Sequence, residues 1–137
     1  MLSRPARIAI VDDDTSVLKA LSRLLGTCSY RTATYRSARE FLDSLQHGMP
    51  ECLVVDMQMP EITGLDLLHH RTHHGIRIPT IVMTGHDEAA VRERCEAVGT
   101  RAYLRKPLQG EVLIAAIDAA TRRQQTDGAA LIPGDRD

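Results

Sequence analysis

Four apolar runs in this 137-residue chain lead into polar side chains that could act together on charged ligands. These side chains are Asp12-Asp13-Asp14, Asp56, Thr84 and Lys106. If the runs are parallel strands about 4.8 Å apart, their carboxyl ends meet at one edge of a sheet, where the acids of two strands converge. Carboxylates that close repel one another unless a cation lies among them or one takes up a proton. The acids therefore predict a hard divalent cation, and oxygen ligands of this type suit Mg²⁺.

The remaining side chains of this set extend the prediction from a cation to a phosphoryl group. Mg²⁺ keeps several waters and completes its octahedron with phosphate oxygens. The Thr84 hydroxyl can donate a hydrogen bond to such an oxygen, and the Lys106 ammonium can neutralise its charge. Asp56 is then the expected nucleophile, since an aspartate that accepts a phosphoryl group needs positioning and charge neutralisation but no activating base.

Five apolar runs alternate with five stretches of helical periodicity, which predicts a (βα)₅ chain. The strands are predicted at 7–11, 30–35, 52–55, 79–84 and 102–104. The first helix is expected to stop at Gly26 and the third to begin near Thr63. A capping box of Ser37 and Glu40 should open the second helix, and Asp87 should cap the fourth. The fifth helix carries a predicted apolar face of Val112, Leu113, Ala116, Ile117 and Ala120.

The composition of the strands indicates which of them lie at the edges of the sheet. Strands one, three and four are continuously apolar, as expected under helices on both faces, whereas strands two and five keep polar residues. Strands two and five are therefore predicted at the edges, in agreement with an α/β flavodoxin-like fold, a doubly wound parallel sheet of order 2-1-3-4-5. The internal order of strands one, three and four stays open. Residues 1–123 are predicted to form the domain, and the polar residues 124–137 a linker or disordered tail.

Charge, hydropathy and cysteine content exclude several classes of protein. The net charge of −1, from 17 Lys and Arg against 18 Asp and Glu, offers no general attraction for nucleic acid phosphates. No apolar run approaches the roughly 18 residues of a spanning helix, and the N-terminus lacks the apolar stretch of a signal peptide. We therefore expect a cytoplasmic protein without membrane contact. Cys28, Cys52 and Cys95 are an odd number without CxxC spacing, which predicts small buried hydrophobic residues in a reducing compartment.

Four motifs resemble those of a known family. The stretches VDDD, DMQMPEITGLDLL, IVMTGH and LRKPL are similar to response regulator receiver domains, the aspartyl-phosphate modules of two-component signalling. Within that family they are most similar to the FixJ-like group. The resemblance runs from about residue 7 to residue 123. It implies that Asp56 is the phosphoacceptor, that Asp13 binds Mg²⁺ directly and that Asp12 acts through water. It also makes the backbone carbonyl of Gln58 a metal ligand.

The resemblance implies a switching role for further residues. Thr84 matches the switch hydroxyl, Tyr103 the aromatic rotamer switch, and Lys106 the phosphate-binding lysine, whose bond to the following proline is often cis in this family. Gln58 and His86 occupy positions that tune the rate of hydrolysis. The implied function is a signalling switch rather than a metabolic enzyme. It takes its phosphoryl group from a histidine kinase, catalyses its own transfer and hydrolysis, and changes the surface of helix four, strand five and helix five, through which it could form a homodimer.

Simpler interpretations compete for some of these residues. Asp14 is interpreted as the solvated start of helix one, where a carboxylate favours the positive end of the helix dipole. Tyr103 could be ordinary packing at a sheet edge. The stretch HHRTHH at 69–74 places histidines four residues apart on a helix. No carboxylate or thiolate at matching spacing completes a closed metal site, which favours a solvated helix face.

The same residues bear on two rival functions and on two possible outputs. An aspartyl-phosphate phosphohydrolase usually has a second acid two residues after its nucleophile, where this chain has Gln58. A flavodoxin-like cofactor binder needs a Gly-rich loop after strand one, where three aspartates would repel phosphate. FixJ-like receivers commonly precede a helix-turn-helix domain, so transcription control through a following DNA-binding domain is expected. A stand-alone receiver, acting by protein contact or in a phosphorelay, stays the alternative.

Overall fold

A computed structural model describes residues 5–59, 61–86 and 88–129, the last seven of them by their backbone only. Its five strands are β1 (Arg7–Val11), β2 (Arg31–Tyr35), β3 (Cys52–Asp56), β4 (Thr80–Thr84) and β5 (Ala102–Arg105). All neighbours are parallel, and the order β2-β1-β3-β4-β5 confirms the predicted flavodoxin-like sheet. Val11 pairs with Val55, so that the residues that follow β1 reach the level at which β3 ends.

The helices that connect the strands are α1 (Thr15–Gly26), α2 (Ala38–Ser44), α3 (Gly64–His73), α4 (Ala89–Ala97) and α5 (Gly110–Ala129). A 3₁₀ turn at Leu45–His47 extends α2. The α5 backbone continues six residues beyond the predicted boundary at residue 123, and residues 130–137 lie outside the described part. The division of the chain into a domain and a tail stays a prediction. None of the described helices combines the length and apolarity that crossing a membrane requires.

Side-chain caps define the starts of α2 and α3. The Ser37 hydroxyl accepts the Glu40 amide at 3.1 Å, as predicted. The Glu40 carboxylate accepts from the Arg36 amide at 3.0 Å, one residue before the cap, so only half of the expected capping box forms. At α3 the box is complete, because Thr63 and Asp66 each accept the other's backbone amide.

The cap position of α4 lies one residue after the residue predicted to cap it. The residue at the cap position is Glu88, which makes no side-chain bond to the helix. Asp87, predicted as the cap, lies outside the described residues. Asp is a preferred cap residue and Glu is not, so side-chain preference alone pointed to the earlier of the two acids.

Two apolar layers hold the helices on the sheet. One layer joins the sheet to α1 and α5 through Ile8, Ile10, Leu18, Leu21, Leu25, Cys52, Val54, Ile81, Met83, Leu113, Ile117 and Ala120. The other joins it to α2, α3 and α4 through Ala9, Val11, Ala38, Phe41, Leu53, Val55, Met57, Met59, Leu67, Leu68, Ile78, Val82 and Cys95. Alternate strand residues belong to different layers, as a doubly covered sheet requires.

Two residues predicted to be buried lie at the surface. Val112, assigned to the apolar face of α5, is 45% exposed, while Leu113 and Ile117 of the same helix are fully buried. Cys28 follows α1 in an exposed turn, whereas Cys52 and Cys95 are buried as predicted. Both errors arise because an apolar residue type shows that a side chain can be buried, but it does not show whether another element covers that side chain.

Candidate aspartate site at the carboxyl edge of the sheet

Three carboxylates meet where β1 and β3 end. One oxygen from each of Asp12, Asp13 and Asp56 lies within 4.8 Å of the others. Asp12 is fully buried, Asp56 is 3% exposed, and Asp13 faces solvent. The predicted convergence of the acids of strands one and three is present, with two acids inside and one at the rim.

Lys106 provides a positive charge between the two buried acids. Its Nζ donates to Asp12 Oδ2 at 3.0 Å and lies 3.3 Å from Asp56 Oδ1. The peptide bond between Lys106 and Pro107 is cis. One ammonium thus contacts an acid at the end of each of β1 and β3, while the predicted role of Lys106 toward a phosphoryl group stays a prediction.

The pKa values of Asp56 and Lys106 are both raised in this site, for different reasons. Burial raises the pKa of Asp56, and the negative charge of Asp12 raises it further, while Lys106 and the Gln58 amide partly oppose this. Burial acts to lower the pKa of Lys106, but its bond to Asp12 and the two carboxylate charges outweigh it and raise that pKa. The site therefore holds negative charge that one lysine does not fully neutralise.

Asp14, the third acid of the triplet, belongs to α1 instead. Its side chain accepts from the Ser16 amide at 2.9 Å and from the Ser16 hydroxyl at 2.6 Å. These two bonds lower the pKa of Asp14 by stabilising its charged form. The interpretation of Asp14 as the start of helix one is confirmed.

Gln58 connects the loop after β3 to the loop after β4. Its backbone amide donates to Asp56 Oδ1 at 3.3 Å. Its side-chain Nε2 donates to Thr84 Oγ1 at 3.0 Å, and its Oε1 accepts the Gly85 amide at 3.0 Å. The sequence prediction for Gln58 concerned its carbonyl and the hydrolysis rate, and it missed this bridge. A carboxamide beside the nucleophile, opposite a hydroxyl on the next strand, was the available signal.

Thr84 is fully buried, and its hydroxyl also bonds the loop that follows. It donates to the His86 carbonyl at 2.7 Å and accepts the His86 amide at 3.1 Å. His86 itself is exposed. Its backbone is therefore joined to the site through Thr84, and the predicted effect of His86 on hydrolysis stays a prediction.

Tyr103 lies on the same face of the sheet as Thr84. It pairs with Val82, two residues before Thr84, and packs on the layer that contains Val82. The ring is half-buried, with the Arg92 guanidinium of α4 5.0 Å from its centroid. This position agrees both with ordinary packing and with a switching role.

The loop between β3 and α3 approaches the nucleophile so closely that it requires glycine. A Cβ atom on Gly64 would lie 2.7 Å from the Asp56 carbonyl oxygen and 2.9 Å from Met57 Cα. The Gly64 amide donates to the Met57 carbonyl at 3.2 Å. Gly64 thus closes the turn that carries Gln58.

The histidines of α3 lie away from this edge of the sheet. The His70 and His74 rings stack with centroids 4.1 Å apart, and His73 meets His74 edge-on. Within the described residues, the group with three or more convergent metal-ligand side chains is Asp12, Asp13 and Asp56. Three carboxylates that can contact one ion, with solvent on one side for its waters, fit a Mg²⁺ ion by their donor chemistry.

Comparisons with known proteins agree with this geometry. Residues 8–118 match the family described as the response regulator receiver domain. The chain is 34% identical over 122 residues to the response regulator protein TodT of Pseudomonas putida, covering 89% of this chain and 54% of TodT. It is 33% identical over 124 residues to the transcriptional regulatory protein FixJ of Azorhizobium caulinodans, covering 88% of this chain and 57% of FixJ. The chain thus spans about half the length of the curated relatives it matches.

Solved structures show the same fold. A crystal structure of FixJ-N is similar with a TM-score of 0.79 and 30% identity, covering 89% of this chain and 96% of that one. The response regulator StyR is similar with a TM-score of 0.82 and 29% identity, covering 93% of this chain and 66% of that one. Receiver domains bind Mg²⁺ in an acidic pocket and interact with histidine kinases. With its fold, its acidic site and these relatives, FixJ among them, the chain belongs to the response regulator receiver domain family of two-component systems.

Proposed function

We propose that Asp56 accepts a phosphoryl group from the phosphohistidine of a cognate histidine kinase, with Mg²⁺ bound beside it. The observation that carries this proposal is the convergence of Asp12, Asp13 and Asp56 within 4.8 Å, with Lys106 Nζ 3.3 Å from Asp56. The site holds three carboxylates and one ammonium, so negative charge is in excess there, and the carboxylate of Asp56 lies beside the ammonium. It is suited to a dianion that arrives together with a divalent cation.

The contacts of the acids support different roles for them. Asp12 already accepts the Asp14 amide at Oδ1 and Lys106 at Oδ2, so we propose that it acts on the ion through water. The exposed Asp13, with Asp56 and the Gln58 carbonyl, would bind Mg²⁺ directly. The ion supplies positive charge that offsets the repulsion among the carboxylates and the incoming phosphoryl oxygens.

The transfer needs few groups beyond these. An Asp56 carboxylate oxygen forms a bond to phosphorus as the phosphorus–nitrogen bond of the donor breaks, and the released electron pair stays on the imidazole, which takes up a proton. Lys106 stabilises the charge on the phosphoryl oxygens. In hydrolysis, water attacks the phosphorus, the bond to Asp56 breaks, and phosphate leaves. Gln58 and His86 border this path and would set its rate.

The phosphoryl group would change a surface. It adds about two negative charges, toward which the Thr84 hydroxyl and the Lys106 ammonium would be drawn. Tyr103, on the same face as Thr84, would then repack and alter the surface of α4, β5 and α5. We propose that this surface controls transcription through a DNA-binding domain of the whole protein. The relatives, of whose length the matched region spans about half, include a transcriptional regulatory protein, and this supports the proposal. A stand-alone or phosphorelay receiver is the alternative.

The proposed acceptor is tested by mass. Incubation with Mg²⁺ and a small phosphodonor such as acetyl phosphate should add one phosphoryl group to the intact protein, and Asp56→Asn should add none. Equal labelling of both proteins would remove Asp56 from its role.

The proposed metal ligand is tested by titration with Mg²⁺. Asp13→Ala should weaken the affinity far more than Asp14→Ala, because Asp14 caps α1. Equal affinities would contradict the choice of Asp13.

The proposed output is tested by sedimentation. If dimers form through α4, β5 and α5, association should rise when Mg²⁺ and beryllofluoride, an analogue of the phosphoryl group, saturate the protein. An unchanged mass would count against that surface as the output.

A further inference from the structure

The side chain of Gln58 joins the two loops that must move if this domain is a switch. It bonds Thr84 Oγ1 through its amide nitrogen and the Gly85 amide through its oxygen, both at 3.0 Å. We propose that Gln58 is a latch that holds Thr84 and the β4–α4 loop in the resting conformation, and that its release is a step of activation. The inference rests on the proposed phosphorylation of Asp56.

The hydrogen-bonding capacity of Thr84 is full in this conformation. A hydroxyl has one proton to donate and two lone pairs that accept. The proton goes to the His86 carbonyl at 2.7 Å, and the lone pairs accept from Gln58 Nε2 and the His86 amide. Thr84 therefore cannot donate to a phosphoryl oxygen without giving up its bond to the His86 carbonyl.

The second bond of Gln58 extends this restraint from a side chain to a loop. Because the Gly85 amide donates to Oε1, the backbone directly after β4 is tied to the loop that follows the phosphoacceptor. Thr84 and Gly85 are adjacent in the chain, so a movement of the β4–α4 loop away from Gln58 breaks both bonds together. Bonds that exist only in the resting conformation lower the free energy of that conformation. They therefore reduce the population of the active conformation, and with it the apparent affinity for a ligand that binds the active conformation.

Glutamine suits this role because its carboxamide both donates and accepts. A methionine of similar length at the same position can make neither bond. Gln58→Met should therefore free Thr84 and Gly85 while it keeps the length of the side chain. The Gln58 side chain is exposed, so the substitution leaves the core intact. Gln46→Met makes the same chemical change on the exposed 3₁₀ turn after α2 and serves as the matched control.

The test combines two measurements on the full chain. The first is hydrogen exchange of the Gly85 amide by NMR, without Mg²⁺ or phosphoryl analogue. The second is the affinity for beryllofluoride at saturating Mg²⁺. Gln58→Met should accelerate the exchange of Gly85 and tighten the affinity about fivefold, the size expected when two solvent-accessible neutral hydrogen bonds are lost from the resting state. Gln46→Met should leave both values as in the wild type.

Each outcome separates the latch from the function on which it rests. If the wild type does not bind beryllofluoride, the proposed phosphorylation site fails. If the wild type binds it but Gln58→Met has an unchanged or weaker affinity, the latch is wrong, even if Gly85 exchanges faster. An effect of Gln58 on hydrolysis alone cannot produce the expected result, because the affinity for this analogue involves no hydrolysis.

Discussion

Replacing Asp56 by asparagine should make the metal-free protein more stable at neutral pH. The substitution keeps the shape of the side chain and removes one of three negative charges that lie within 4.8 Å of each other. Asp56 is 3% exposed, so water screens its charge poorly. A residue kept for binding a cation and a phosphoryl group should lower stability when neither is bound.

The size of the effect follows from the distances. At an effective dielectric constant of about 20, two like charges 4.8 Å apart repel by about 3.5 kcal/mol, and both Asp12 and Asp13 act on Asp56 at this range or closer. Under the same assumption, Lys106 at 3.3 Å attracts Asp56 by about 5 kcal/mol. The repulsion exceeds the attraction by about 2 kcal/mol before any cost of burying the charge. Since the exposed Asp13 is screened, we expect a gain of about 1–2 kcal/mol for Asp56→Asn.

Urea unfolding with a chelator present measures this difference. At pH 7 the asparagine variant should unfold at higher urea. The pKa of Asp56 is raised in the folded protein from its ordinary value of 3.8, so the native state binds its proton more readily than the unfolded state. The wild type should therefore gain stability relative to the variant as the pH falls through the raised pKa toward 3.8. Mg²⁺ at ten times its dissociation constant should stabilise the wild type alone, by about 1.4 kcal/mol.

Asp14→Asn is the matched control, because Asp14 directly follows Asp12 and Asp13 in the chain but lies outside the cluster. Its pKa is lowered by bonds to Ser16, so its charge stabilises the folded state above the ordinary pKa, and this contribution is lost as the pH falls through the lowered value. The substitution should lower stability at pH 7, and Mg²⁺ should not change its effect. If Asp56→Asn also lowers stability in the metal-free protein, Lys106 neutralises the site and the reasoning is refuted.

Three further predictions concern the loops and the thiols. Gly64→Ala should destabilise the protein by about 1–3 kcal/mol, because the added Cβ would lie 2.7 Å and 2.9 Å from backbone atoms at the end of β3. A variant that unfolds at the same urea concentration as the wild type would contradict this close approach. Thr63→Ala removes the cap of α3 and should lower the free energy of unfolding by about 1 kcal/mol in the same assay. An unchanged free energy of unfolding would contradict the capping box. A thiol reagent at pH 8 should label the exposed Cys28 in the native protein. Cys52 and Cys95 are buried, and burial raises the pKa of Cys52 to about 12, so both should react only after unfolding. Rapid labelling of all three thiols would contradict the burial of Cys52 and Cys95.

Local patterns in the sequence were sufficient to predict the strands and their chemistry. The predicted strands differ from those observed by no more than one residue at either end. Strands β1, β3 and β4 are continuous apolar runs because both faces of the sheet are covered there, and the edge strand β2 alternates as strands do. Polar residues directly after such runs lie at the carboxyl edge of a parallel sheet by construction. Asp12, Asp56 and Thr84 could therefore be assigned to one site before their distances were known.

Contacts between distant loops required the tertiary structure. The bridge from Gln58 to Thr84 and Gly85 spans 26 and 27 positions in the chain, and it depends on the turn that Gly64 closes. The spacing of apolar residues in the sequence does not predict such a contact, because the contact depends on one side-chain conformation in one arrangement of the loops.

The exposure of individual side chains also required the tertiary structure. Val112 and Cys28 have apolar side chains in or beside helices, yet no described element covers either of them. The sequence determined which residues could be buried and which could bind charge, since both follow from side-chain chemistry and local spacing. The folded arrangement decided which of them meet, because meeting depends on the packing of segments that are far apart in the chain.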